Sequence, residues 1–251
     1  MGNLNTKQTA NDLLGRSKLV YRINCDIPQP LRSQKDLVGF GEPFFKHEGN
    51  ADTNPQNIPS ASGLKISLER SATTPAAGVI SYSITVNVQN LATPLPEKLV
   101  LIGCFSDMSV NLLSAQGQSG TIAATVVITY GNGVSGTTVQ VRDNTARHNF
   151  PGTSSGNSFQ FSQAFYTQVV NPGDPHHFNI VLYLERTAQA ITGEGFVYAG
   201  DQKVSSKTFT VNNNVNKNTV IDQFNIGLAS ANGALYQASL LLHEAEIWFP
   251  D

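Results

Sequence analysis

The last third of the chain, from residue 175 to residue 251, constrains the fold most, because strand-like runs follow one another there at short intervals. These runs are rich in β-branched and aromatic residues, and they span residues 177–184, 195–204, 208–211, 221–226 and 240–249. Gly, Asn and Asp lie between them, which is typical of turns that join neighbouring strands. This region predicts a β-meander.

The rest of the chain continues the pattern. Apolar residues alternate over residues 18–27, which predicts a half-buried strand. The apolar run Lys98–Phe105 is nearly continuous and predicts a central strand covered on both faces. Gly131-Asn132-Gly133 predicts a tight turn between strands 121–130 and 137–142. Further strands are expected at residues 64–68, 79–88 and 159–170. We expect about ten to twelve strands in an all-β, antiparallel sandwich.

The chain is expected to form one domain preceded by an arm. Residues 1–17 are polar and predict an N-terminal arm, and residues 18–251 predict a single β-sandwich domain. Within that domain, residues 28–62 predict a long irregular loop, because prolines recur along them. Three phenylalanines in this stretch are expected to pin the loop onto the sandwich rather than to form a binding platform: Phe40, Phe44 and Phe45.

Composition narrows the possible partners. Only 14% of the residues are charged and the net charge is −2, and the basic clusters of a nucleic-acid-binding face do not occur. No apolar run approaches the ~20 residues that span a bilayer. We therefore expect neither nucleic acid nor membrane as a partner. Cys25 and Cys104 are expected to be reduced and buried, although a disulfide between them is an open alternative.

The C-terminal meander resembles the concanavalin A-like lectin/glucanase (laminin-G-like) β-sandwich, which is a jelly roll. Four segments carry this resemblance in order, at residues 176–181, 197–204 (Val-Tyr-Ala-Gly-Asp-Gln-Lys-Val), 224–227 (Phe-Asn-Ile-Gly) and 242–248 (Leu-His-Glu-Ala-Glu-Ile-Trp). Domains of this kind occur in bacteriophage tail and fibre proteins. The resemblance implies a lectin-like sandwich and leaves the function open.

The sequence does not favour an enzyme. Glucanases that the chain resembles carry the strand motif Glu-x-Asp-x-x-Glu, and here only Glu244 and Glu246 share a strand face, with no third carboxylate in that pattern. No Ser-His-Asp order and no phosphate loop is recognised. The run Asn212–Asn214 is better explained as a turn than as a calcium site. We predict no catalytic residue, no metal and no cofactor.

Glycan binding is the recognition chemistry that the resemblance implies. An aromatic ring stacks on a sugar in such sites, and amides orient its hydroxyl groups. The candidates in this chain are loop aromatics and turn amides: Tyr130, Asn132, Phe150, Asn232 and Tyr236. Trp248 is expected in the core or at its rim.

Two hypotheses follow for the role of the chain. The first is a non-enzymatic virion structural protein, a bacteriophage tail or fibre module, whose sandwich binds host-surface glycan or packs with copies of itself. It would form a homo-oligomer, a trimer being the common outcome for fibres, and its arm would contact other virion proteins. The alternative is a jelly-roll capsid or decoration protein. Both hypotheses place the protein in an extracellular particle after synthesis in the host cytoplasm.

Overall fold

The computed structural model describes residues 17–25, 32–35, 40–48, 56–60, 63–70, 79–88, 97–112, 121–131, 133–134, 136–142, 157–162, 177–199, 202–231 and 236–250. These residues form fifteen strands and no helix. The first ten strands are β1 (Ser17–Asn24), β2 (Arg32–Lys35), β3 (Phe44–Glu48), β4 (Gln56–Ser60), β5 (Gly63–Arg70), β6 (Val79–Asn87), β7 (Lys98–Leu112), β8 (Thr121–Tyr130), β9 (Thr137–Arg142) and β10 (Asn157–Ser162). The last five are β11 (Phe178–Arg186), β12 (Ile191–Ala199), β13 (Gln202–Val211), β14 (Ile221–Ala231) and β15 (Tyr236–Pro250).

The strands form two sheets. The nine-stranded sheet has the order β13-β12-β11-β7-β15-β1-β2, and β5 and β4 join it through the first half of β15. One side of β15 therefore pairs with β7, while its other side pairs first with β5 and then with β1. The six-stranded sheet has the order β10-β9-β8-β14-β6-β3. All pairs are antiparallel except β9 and β10, which run parallel.

One apolar core lies between the two sheets. Because successive side chains point to opposite faces of a strand, every second residue enters this core, for example Ile84 and Val86 of β6 and Phe224 and Ile226 of β14. Strands of the nine-stranded sheet supply the opposite wall. The all-β, antiparallel sandwich that the sequence predicts is confirmed, apart from the parallel β9–β10 pair.

Strand β7 is covered on both faces, as its apolar run predicts. Leu99 and Leu101 enter the core between the sheets, while Val100, Ile102 and Cys104 join a second apolar cluster on the outer face. Cys25 lies in the first cluster, so the two thiols belong to different apolar layers. Both cysteines are buried, as predicted, and no disulfide joins them to each other.

Two sequence predictions need correction. Residues 28–62 are not wholly irregular, because β2, β3 and β4 lie among them. Residues 202–211 form one continuous strand, whereas the sequence suggested separate strands ending at residue 204 and beginning at residue 208. Within the predicted arm, only Ser17 belongs to the described residues, where it begins β1.

Candidate functional site

The outer face of the six-stranded sheet carries a line of hydrogen-bonded polar side chains. The Thr85 hydroxyl donates to Asn225 Oδ1 over 2.7 Å. Asn225 Nδ2 donates to Gln223 Oε1 over 3.2 Å, and Gln223 Nε2 donates to Asn87 Oδ1 over 2.9 Å. We call these four residues the amide ladder. They alternate with core residues on β6 and β14, which places all four on the outer face.

Strand pairing holds the ladder in place. Thr85 lies opposite Asn225 and Asn87 lies opposite Gln223 in the antiparallel register of β6 and β14. Thr85 is 0% exposed, whereas the three amides are half-buried. From β8, the Thr129 hydroxyl donates to the Gln223 carbonyl oxygen over 3.2 Å. The ladder is therefore rigid at its hydroxyl end and accessible to solvent along its amides.

Phe44 lies beside the ladder with its ring in solvent. It pairs with Thr85 from the edge strand β3, and 40% of its surface is exposed. Among the side chains whose burial the structure describes, it is the one large apolar side chain that is exposed. Phe45, on the opposite face of the same strand, packs against the core. An aromatic ring thus lies next to a row of neutral hydrogen-bonding groups.

Residues 40–43 anchor Phe44 relative to Asn87. Phe40 bridges to Val88 and is buried, with its ring centroid 5.0 Å from that of Tyr21. The Gly41 amide donates to the Asn87 carbonyl oxygen over 2.8 Å. A Cβ at Gly41 would lie 3.1 Å from that oxygen, so glycine permits the close approach. The segment leading to Phe44 is therefore fastened to the residue at the end of the ladder.

The Tyr21 phenol supports this anchor. Its hydroxyl donates to the Gly41 carbonyl oxygen over 3.2 Å. Burial raises the pKa of Tyr21, and the Glu42 carboxylate raises it further, while a hydrogen bond with Ser33 opposes the shift. The phenol is therefore neutral across the physiological range and keeps its donor.

The chemistry of this face suits neutral polar ligands. A carboxamide offers two N–H donors and an oxygen acceptor, and a hydroxyl offers both roles. Sugars present hydroxyl groups together with apolar C–H faces, and the exposed ring of Phe44 can cover such a face. None of these five side chains carries a charge, so they recognise by hydrogen bonding and apolar contact.

Of the glycan-binding residues predicted from sequence, the structure describes Tyr130 and Tyr236. Tyr130 is 5% exposed and its hydroxyl is 3.1 Å from that of Thr137, so its ring is a core element with little surface to offer a sugar. Tyr236 begins β15 and pairs with residues of β5 and β7. Asn132, Phe150 and Asn232 lie outside the described residues.

A charged cluster occupies the outer face of the nine-stranded sheet. Arg22 Nε lies 2.7 Å from Glu246 Oε1 and 2.7 Å from Glu244 Oε1, and its terminal nitrogen also contacts Glu246. Trp248 Nε1 donates to Glu246 Oε2 over 2.9 Å. Burial acts to lower the pKa of Arg22, but the two carboxylates outweigh burial and raise it. We call Arg22, Glu244, Glu246 and Trp248 the arginine cluster.

The arginine cluster contains Glu244 and Glu246, the two carboxylates that the sequence analysis weighed as a catalytic pair. Both are ion-paired with the same guanidinium, and Glu246 is 3% exposed. Trp248 is half-buried against the outer apolar cluster, which confirms the prediction that it lies in the core or at its rim. Their contacts are those of a structural ion pair.

His243 lies where the partner of β15 changes from β5 to β1. Its carbonyl oxygen accepts the Cys25 amide over 2.8 Å. Its Nε2 is 2.8 Å from the Ser106 hydroxyl, and its ring centroid is 4.9 Å from that of His177. A Cβ at Gly63 would lie 3.0 Å from this ring, and Gly63 has a φ of +131°. These contacts join β15 to β5, to β7 and to the end of β1 at this point.

Neither a group of potential metal ligands nor a membrane-spanning helix is found in the part of the chain that the structure describes. No three or more His, Cys, Asp or Glu side chains are grouped there so as to hold a metal ion. No described segment forms a helix with the length and apolarity of a membrane span.

Comparison with known proteins identifies no family. No family model matches the chain, and a search of curated proteins finds no match. Among solved structures, a crystal structure of basic winged bean lectin with Tn-antigen is similar over 82% of this chain and 98% of the lectin chain, at 9% identity and a TM-score of 0.34. A likeness at this TM-score carries no argument about function, and the more specific concanavalin A-like assignment stays a prediction.

Proposed function

We propose that this chain is a non-enzymatic glycan-binding module, and that the glycan binds on the outer face of the six-stranded sheet. The sugar stacks on Phe44 and hydrogen-bonds to the amides of the ladder. The observation that carries the proposal is an exposed aromatic ring paired with Thr85, the hydroxyl end of a row of hydrogen-bonded neutral amides on the same face of the sheet. A soluble monomer gains no core packing from such a ring, whereas a ligand would bury it.

The arginine cluster supports the non-enzymatic part of the proposal. Acid–base hydrolysis of a glycosidic bond needs two carboxylates that flank the bond and are free to exchange protons. Glu244 and Glu246 instead share Arg22, and Glu246 also accepts the indole N–H of Trp248. Both carboxylates are thus ion-paired within the protein.

A glycan array followed by calorimetry tests the proposal. Phe44→Ala should weaken the affinity for the best glycan about tenfold, because burying a phenylalanine contributes about 1.5–3 kcal/mol and 1.4 kcal/mol is tenfold in affinity. Phe44→Trp should keep the affinity, since the larger ring preserves stacking.

The matched control is Lys65→Ala, which removes an exposed side chain from β5 in the other sheet. It should bind as the unaltered chain does. Equal affinity of Phe44→Ala and the unaltered chain would place the sugar elsewhere, and an array with no binder would refute the function.

For the biological setting we propose a virus particle, with the sandwich as a tail or fibre module and the residues before β1 as the attachment to other virion proteins. The sparse charge supports an extracellular role. Light scattering with electron micrographs of the purified chain tests this setting. A trimer or another small oligomer is expected, whereas large closed shells would favour the jelly-roll capsid alternative.

A further inference from the structure

We propose that Asn87 sets the specificity of this face, and that it selects glycans bearing an acetamido group by donating its side-chain N–H to the acetamido carbonyl oxygen. This inference rests on the proposed function, since it names the class of glycan bound at the same face. It depends on the direction of the hydrogen bonds in the amide ladder.

The ladder has a fixed direction. The Thr85 hydroxyl carries one hydrogen, which it donates to Asn225 Oδ1, and each following amide then accepts through oxygen and donates through nitrogen. Reversing the ladder would turn Asn225 Nδ2 toward the Thr85 oxygen. The Thr85 hydrogen would then lose its acceptor at a side chain that is fully buried, which is costly. The buried hydroxyl therefore sets the polarity of the whole row.

Because the hydrogen bonds run from Thr85 toward Asn87, the Asn87 end of the ladder has side-chain N–H donors that the ladder does not use. Asn87 Oδ1 accepts from Gln223, and the ladder uses neither N–H of Asn87 Nδ2. Because Asn87 is half-buried rather than enclosed, these donors can reach a ligand. Neighbouring hydrogen bonds in such a chain also polarise one another, which makes the terminal N–H groups better donors. The end of the ladder is thus suited to an acceptor.

Asn87 is held close enough to Phe44 for one sugar to meet both. Thr85, which lies opposite Phe44, and Asn87 are two residues apart on the same face of β6, a separation of about 7 Å along the strand. The Asn87 backbone accepts the Gly41 amide, and the following residue, Val88, donates to the Asp222 carbonyl oxygen over 2.9 Å. A ring stacked on Phe44 can therefore direct a substituent toward Asn87 Nδ2.

An acetamido carbonyl fits this end better than the other acceptors of sugars. A hydroxyl group can donate as well as accept, so it does not distinguish a donor site from an acceptor site. Carboxylates and sulfates accept strongly, but none of the side chains of the ladder carries a positive charge that would pair with an anion. A neutral carbonyl oxygen, which only accepts, is the group that a pair of amide N–H donors selects.

The test compares two ligands. One is a β-linked disaccharide of N-acetylhexosamine, and the other is the same disaccharide with a hydroxyl group in place of each acetamido group. Calorimetry with the full chain should give about tenfold tighter binding of the acetylated sugar, the effect of one good hydrogen bond. Asn87→Asp keeps the acceptor for Gln223 and removes both donors. It should abolish that preference, because the acetamido carbonyl oxygen then has no N–H donor at this position.

Gln223→Glu provides a second, independent variant. Its carboxylate only accepts, so Asn87 must turn and donate one N–H to it, and the preference should shrink without vanishing. Equal binding of the two sugars by the unaltered chain would overturn the inference and leave the proposed function standing. So would an Asn87→Asp variant that loses affinity for both sugars alike. Failure to bind either sugar, or any other glycan, would overturn both proposals.

Discussion

The two outer faces of the sandwich use polar side chains in opposite ways. On the nine-stranded sheet, the arginine cluster pairs both of its carboxylates with Arg22 and lies beside the apolar cluster that covers β7. On the six-stranded sheet, the amide ladder is neutral, its amides are half-buried, and the ring beside it is exposed. On the first face the charged side chains pair with one another, whereas on the second face the half-buried amides can also bind a partner.

The difference separates stability from binding. Breaking a nearly buried ion pair leaves a charge without a counter-charge, which is costly to folding. Breaking a half-exposed amide contact lets water replace the lost partner, so folding loses little. Substitutions on the nine-stranded face should therefore act on the free energy of unfolding, and substitutions around Phe44 should act on affinity.

The largest effect is expected from Arg22→Met. This change leaves the nearly buried Glu246 carboxylate without its cation and should lower the free energy of unfolding by about 3 kcal/mol. The measurement is the urea midpoint at constant slope. Arg22→Lys keeps the charge but loses the forked geometry, so it should lose less. Glycan affinity at 25 °C should not change in either variant.

If Arg22→Met unfolded at the same urea concentration as the unaltered chain, this result would contradict the conclusion that the arginine cluster stabilises the fold. Glu246 would then draw its stabilisation from elsewhere, Trp248 included. The double variant Arg22→Met with Glu246→Gln decides this point. It should recover part of the lost stability, because it removes the orphaned charge while a side-chain oxygen is retained for the Trp248 N–H.

A smaller loss, about 2 kcal/mol, is expected from Tyr130→Phe. The Tyr130 hydroxyl is the partner of the Thr137 hydroxyl, which is 0% exposed, and the variant leaves that group buried without it. Thermal and urea unfolding measure the loss. Because the ring lies in the core, glycan affinity should stay unchanged, which separates Tyr130 from Phe44 as a candidate for stacking. A selective loss of affinity without a loss of stability would reverse that assignment.

Tyr130 also gives a prediction for alkaline solution. Burial raises the pKa of Tyr130, and its hydrogen bond to Thr137 opposes the shift only in part. The fold therefore favours the neutral phenol, so its contribution is complete below the unfolded pKa of about 10 and declines as the pH rises further. Stability should fall above about pH 10 and fall less steeply in Tyr130→Phe, while Tyr21 and Tyr183, whose pKa values burial also raises, contribute to the remaining slope.

Much of the fold follows from strand periodicity alone. Strands β8 and β9 have the bounds that the sequence predicts, because a clear turn separates two alternating runs. Residues 28–62 predicted an irregular loop although they contain three strands, because these strands are short and prolines lie within or beside them. Among the described strands β4 pairs with β5 alone, so Pro59 is tolerated because no amide donor is needed on the other side of β4. The parallel pairing of β10 with β9 has no local sequence signal.

The candidate site could not be predicted in the same way, because it depends on contacts between distant residues. Thr85 and Asn225 are 140 positions apart, and Gln223 and Asn87 are 136 apart. Isolated Asn and Gln residues in strands carry no signal until the register is known. The phenylalanines show the same limit: Phe40 and Phe45 pack on the core as expected, and pairing with β6 turns Phe44 outward.

The smallest effect on stability is expected from Phe44→Ala, which compares two adjacent residues on opposite faces of β3. Removing the exposed ring should change the free energy of unfolding by no more than about 0.5 kcal/mol. Phe45→Ala should cost about 2 kcal/mol, below the 3–5 of a fully buried ring because Phe45 is only partly buried. Equal losses of unfolding free energy from the two variants would mean that Phe44 also anchors β3. The face that carries the ladder would then be covered and closed to a sugar. If only Phe45→Ala loses stability, the Phe44 ring does not contribute to folding, and only a bound partner can bury it.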